Sequence, residues 1–127
     1  MEKINSNRLP QAIGPYSQAV KANGLIYTSG QVPLDVNGDM VERDIKTQTR
    51  QVFENLRVLL EDAQSGMDKV IKITIYLENI EDFAVVNVLC AEAFGDHKPV
   101  RSTVSVKGLP MNSMVVIDAI AQPYDYY

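Results

Sequence analysis

Residues 70–77 read Val70-Ile71-Lys72-Ile73-Thr74-Ile75-Tyr76-Leu77, and alternation along them sets Ile71, Ile73, Ile75 and Leu77 on one face against Lys72, Thr74 and Tyr76 on the other. This is the pattern of a half-buried strand. Upstream, Ile45, Val52, Phe53, Leu56, Leu59, Leu60 and Ala63 recur at helical spacing, with Asp44 placed to cap the start and Gly66 just past the end. Downstream, Asn79 and Asp82 resemble a capping arrangement ahead of Phe83, Val86, Cys90 and Phe94, which close before Gly95. A strand flanked by two amphipathic helices predicts an α+β fold.

The outer segments extend that frame. Residues 17–22 and 25–32 read as strands around Asn23-Gly24, a dipeptide suited to a tight hairpin turn, and Asn37-Gly38 offers a second turn. Two more strands, 101–106 and 114–121, flank Gly108-Leu109-Pro110. The expected order is β-β-α-β-α-β-β, with both helices on one sheet face. On the last strand Val115, Ile117, Ala119 and Ala121 are set to face the helices. The opposite set, Met114, Val116 and Ile120, is also apolar apart from Asp118. A solvated face would be more polar, so this side is expected to meet another subunit.

In 101–106 the same alternation groups Val104 with Val106 and sets Arg101, Thr103 and Ser105 opposite, which aims Arg101 away from the helix layer. A guanidinium keeps its charge at any working pH, and its planar fork grips a carboxylate through parallel hydrogen bonds. Arg101 is therefore a candidate anion clamp. Its alternative is an ion pair with a neighbouring Asp or Glu, the commoner fate of an arginine.

Composition narrows the functions. The chain has 127 residues, 46% of them hydrophobic and 22% charged, enough for one core and too short for two full domains, so residues 1–127 are expected to form one domain with 122–127 as a tail. A net charge of −4 lacks the basic footprint of a nucleic-acid binder. One cysteine, Cys90, excludes an intrachain disulfide. The polar N-terminus lacks a signal sequence, and no apolar run is long enough for a membrane span, so a cytoplasmic location is expected. His97 is the sole histidine, which excludes two-histidine zinc motifs within one chain.

Other chemistry-bearing residues have plainer readings. His97 sits in Gly95-Asp96-His97-Lys98-Pro99, a polar turn where a solvated imidazole is the default, and Cys90 lies on an apolar helical stripe that buries an inert thiol. Ser29-Gly30 lacks the flanking pattern of a nucleophile elbow. Charges between Glu42 and Lys46 read as a solvated helix start. Pro123 should end pairing in the last strand, leaving Gln122-Pro123-Tyr124-Asp125-Tyr126-Tyr127 a loose terminus, or one docked on a neighbouring subunit.

Several motifs in order, Ala12-Ile13-Gly14-Pro15-Tyr16-Ser17-Gln18-Ala19, Thr28-Ser29-Gly30-Gln31-Val32-Pro33, Asp82-Phe83-Ala84-Val85-Val86-Asn87, Arg101-Ser102-Thr103-Val104 with Leu109-Pro110, and Ile117-Asp118-Ala119-Ile120-Ala121, resemble the RidA/YjgF family of reactive-intermediate deaminases. The resemblance implies a chorismate-mutase-like protomer and a homotrimer with a central barrel and clefts between subunits. It also implies hydrolysis of enamine and imine acids such as 2-aminoacrylate to 2-keto acids and ammonia, without a cofactor or metal. By motif, Arg101 would grip the substrate carboxylate, Thr103 takes the place of a frequent cysteine beside the imine, and Tyr16, Ser29, Gly30 and Asn87 match the rest of the cleft.

One departure divides the functional expectation. Active members often carry Glu at the place of Val116, to orient water, and Asp118 matches a second acid two residues along on the same face. Two readings remain: an imine deaminase using Arg101, Thr103 and Asp118, and a non-catalytic trimer that binds small carboxylates as a sensor or partner. A ribonuclease or translation inhibitor ranks last, because the chain has neither a basic excess nor a histidine pair for general acid–base cleavage.

Overall fold

The computed structural model describes residues 1–124. In chain order it contains β1 (Glu2–Ile4), β2 (Ala19–Ala22), β3 (Leu25–Thr28), α1 (Ile45–Asp62), β4 (Val70–Leu77), α2 (Phe83–Phe94), β5 (Val100–Ser105) and β6 (Val115–Ala121). The strands form one sheet in the order β1-β2-β3-β6-β4-β5, with β4 and β5 parallel and the other neighbours antiparallel. The order of elements thus differs from expectation by one added strand: β1 pairs with β2 through Lys3 and Val20 and is too short and polar to carry a periodic signal.

α1 starts where Asp44 accepts hydrogen bonds from the Thr47 N–H at 3.0 Å and the Thr47 hydroxyl at 2.8 Å. Its exit differs from the expected glycine stop. Gln64 adopts the left-handed turn, with φ of 64°, while Gly66 is extended. Asn79 does cap, but it caps a single 3-10 turn, Ile80–Asp82, through the Glu81 N–H; Asp82 makes no side-chain cap for α2.

Leu56, Leu59 and Leu60 of α1 and Val86 of α2 pack on Ile26, Ile73, Ile75, Leu77, Val115 and Ile117 of the sheet, all fully or almost fully buried. Phe53 and Phe94 join the helices edge to face, with centroids 5.8 Å apart. Truncating a core leucine such as Leu56 to Ala costs about 2–5 kcal/mol in such surroundings. The alternation anticipated for β6 is observed: Val115, Ile117, Ala119 and Ala121 belong to the core, and Val116, Asp118 and Ile120 face the other side. In β4 it holds only from Ile73 onward. A β-bulge between Val70 and Lys72 turns Ile71 out to 39% exposure and puts Val70 in the core instead.

The expected strand over 25–32 is shorter as well. Pairing with β6 stops near Thr28, and only Gln31 rejoins it, opposite Ile117. The start of the tail is not loose. Gln122 N–H donates to Lys69 O at 2.9 Å, the Ser65 hydroxyl donates to Gln122 O at 2.6 Å, and Tyr124 donates through its N–H to Gln64 O and through its hydroxyl to Asp68. A Cβ at Gly66 would meet the Tyr124 hydroxyl and Asp68 Oδ1. Docking is on the same chain, and residues 125–127 lie outside the described ones. Among the described residues no helix is long and apolar enough to cross a membrane.

Candidate functional site

Between β3 and its single rejoining pair the backbone forms the floor of a cleft. The Ser29 N–H and hydroxyl both donate to Gln18 O, at 2.8 and 3.1 Å, while Gln31 exchanges backbone hydrogen bonds with Ile117. Gly30 is held between these anchors against Val116: a Cβ at position 30 would lie 2.7 Å from Val116 Cγ1. Two buried amides brace the surrounding loops. Asn55 of α1 donates to Val32 O and Leu34 O at 3.1 and 2.9 Å, and the Gln18 amide group donates to Pro10 O at 3.0 Å and accepts from the Ser6 N–H.

These braces enclose a cleft of about 530 Å³, lined among others by Leu9, Ile13, Tyr16, Ser29, Gly30, Pro110, Met111 and Val116. Tyr16 reaches it from a tight turn in which its N–H donates to Gly14 O at 2.9 Å.

A second cluster lies at the far edge of the sheet. The parallel register places Arg101 beside Ile73 and Thr103 beside Ile75, both core residues, so Arg101 and Thr103 stand on the helix side. This corrects the expected orientation. β5 is an edge strand whose valines, Val100 and Val104, remain 61% and 43% exposed, so their alternation does not mark the core face. Arg101 Nη1 donates to Asn87 Oδ1 at 2.7 Å, and its guanidinium lies 5.4 Å from the Phe83 ring centroid. Burial pushes the Cys90 thiol pKa up, against the opposing hydrogen bond and charge of Arg101. Cys90 is buried, as its apolar stripe implied.

Among the described residues no carboxylate pairs with Arg101, and the Thr103 hydroxyl is buried without a partner. Among the described residues the ion-pair alternative for Arg101 finds no partner.

Asp118 occupies a third place. It shares the outer sheet face with Val116, where its Oδ2 accepts from the Tyr76 hydroxyl at 3.2 Å. Burial pushes the Tyr76 phenol pKa up, and the charge and hydrogen bond of Asp118 add to this. One chain therefore brings Asn87, Arg101 and Thr103 together, gathers Tyr16, Ser29 and Gly30 elsewhere beside Val116, and leaves Asp118 apart from both groups. His97 is half-buried rather than freely solvated: Nε2 lies 2.6 Å from Val70 O and its ring tilts on Phe94.

The sequence reading missed Asn55, Gln18, Phe83 and Met111 as parts of these sites. Asn55 had a signal, a polar residue three positions after Val52 on the buried stripe of α1. Among the described residues no group of three or more His, Cys, Asp or Glu side chains could hold a metal ion.

The family model described as Endoribonuclease L-PSP matches residues 6–122, nearly the whole sheet-and-helix unit. The chain belongs to the RidA/YjgF family. A RutC family protein of Pyrococcus horikoshii is 46% identical over 121 residues, covering 94% of this chain and 96% of its own. The Rid-family protein YyfA from Yersinia pestis superposes with a TM-score of 0.93 at 44% identity, over 95% of this chain and 98% of that one. TdcF of E. coli, solved with bound serine, has a TM-score of 0.91 at 33% identity, over 98% of this chain and all of its own. Within the RidA/YjgF fold, the residues carried over by motif fall into the two clusters described above, Asp118 excepted, and Val116 walls the cleft at the place that the resemblance assigns to a glutamate.

Proposed function

We propose that the protein hydrolyses small imine and enamine acids, such as 2-aminoacrylate and its imine form, to 2-keto acids and ammonia. The observation that carries this reading is Arg101, whose charge is answered by the neutral Asn87 amide rather than by a carboxylate. A guanidinium braced this way offers its remaining donors to an anionic ligand, and a substrate carboxylate matches the fork. A relative crystallised with serine, a small amino acid, supports the choice of ligand.

The reaction adds water to R–C(=NH2⁺)–COO⁻ and releases R–CO–COO⁻ and NH4⁺, so positioning and proton movement suffice and no redox partner is needed. Because Arg101 and the Tyr16–Ser29–Gly30 cleft are apart in one chain, a second copy supplies the missing half. A homotrimer with shared clefts fits that need and covers the outer sheet face, where Val104 and Tyr27 are exposed. Thr103 then stands beside the imine, and Asp118 is the remaining carboxylate on the face of Val116.

The test is a coupled assay in which a dehydratase generates 2-aminoacrylate and pyruvate release is followed with and without the protein. Acceleration supports the deaminase; equal rates overturn it. Val116 favours a second reading, carboxylate binding without turnover, since an apolar wall cannot orient water. Val116→Glu is expected to raise hydrolysis and Asp118→Ala to depress it, with general acid–base effects typically on the order of 10²–10⁴ in rate. Full activity of the natural chain with no effect of Asp118→Ala removes Asp118 from the mechanism.

A further inference from the structure

The cleft beside Gly30 is more apolar than a three-carbon substrate requires. Its polar side chains are mostly committed within the chain: Gln18 to Ser6 and Pro10, Asn55 to Val32 and Leu34, Ser29 to Gln18 O, and Gln31 to Ser29 O. What remains to face a ligand is the Tyr16 side chain together with the apolar Leu9, Ile13, Pro110, Met111 and Val116.

Met111 adds an independent sign. It is held at φ 57° and ψ 28°, in the left-handed region that favours glycine, and is 53% exposed, so the conformation is not bought by burial in the core. The strained turn after Pro110 instead places a flexible, polarisable side chain along the cleft, where it can mould to an apolar ligand. Val116, 7% exposed and lodged against Gly30, supplies a rigid wall beside it.

We propose that the cleft selects imino acids with a branched or extended apolar side chain, together with the matching 2-keto acids, over 2-iminopropanoate, and that Met111 and Val116 read that side chain. The inference rests on the deaminase reading for the imine and carboxylate ends of the ligand and adds the third substituent. Each buried carbon contributes through removal of apolar surface from water, and the three extra carbons of the leucine-derived imine set the expected scale.

In the test, an amino-acid oxidase generates the imine of leucine or of alanine while semicarbazide traps it, and relative kcat/KM comes from the fall in semicarbazone. The leucine-derived imine is expected to be preferred about ten-fold or more. Met111→Ala and Val116→Thr are each expected to lower that ratio about three-fold or more. A ratio measured within one variant is insensitive to the fraction of it that is folded. Calorimetry with the 2-keto acid of leucine against pyruvate repeats the comparison without chemistry.

Equal rates and equal affinities overturn the proposal and leave the deaminase reading standing. Tighter binding of the larger keto acid with no hydrolysis of either imine upholds the selectivity and overturns the deaminase reading. No hydrolysis and no binding of either overturns both.

Discussion

Gly30 and Arg101 show how much a single residue decides in this molecule. A methyl group at position 30 would collide with Val116, whose other side is packed, so Gly30→Ala is expected to destabilise the fold by about 1–3 kcal/mol in urea or thermal unfolding. Combining it with Val116→Ala should recover most of that loss, a coupling that a double-mutant cycle reads directly. Arg101→Ala is expected to abolish calorimetric binding of small 2-keto acids while changing stability by less than about 1 kcal/mol, because the side chain is exposed. Unchanged pyruvate affinity in that variant would remove Arg101 from the site. Arg101 could be singled out from its motif, but its direction was not legible there. Alternation tells which residues share a face, and only the pairing of β5 with Ile73 and Ile75 tells which face is the core.

Elements were legible where periodicity is long. α1 could be read from its apolar stripe and the Asp44 cap, whereas β1 spans three residues and the bulge at Ile71 depends on how β6 pairs, which no local pattern encodes. The end of α1 is also tied to the N-terminal segment, since Asp62 accepts from the Ser6 hydroxyl and pairs with Arg8 at 2.6 Å. Arg8 and then Ser6 hold the Asp62 carboxyl below its ordinary value of 3.8. A carboxyl depressed in the folded state stabilises above the unfolded pKa, and the contribution is lost as pH falls through the lower folded value. Asp62→Asn is therefore expected to flatten the acid limb of the stability–pH curve below about pH 4, measured by urea unfolding; an unchanged limb would show that the clamp contributes nothing.

At the scale of the whole molecule, the α+β class and the two-sided character of β6 followed from alternation, while the separation of the Tyr16–Ser29–Gly30 group from the Asn87–Arg101–Thr103 group appeared only with strand order. The proposed assembly predicts a trimer by light scattering at micromolar concentration, and a monomer there would overturn both the shared cleft and the covered outer face. The order of strands also sets a timetable for the chain as it is made. β6, the last strand, lies between β3 and β4, so before residues 115–121 emerge from the ribosome the β1–β3 and β4–β5 portions have no strand to join them. A nascent chain stalled before residue 115 is expected to be digested rapidly by protease, and one extended past 121 to resist. The unit is closed from the middle by its final piece, and until then chaperones meet two open edges rather than a partly finished domain.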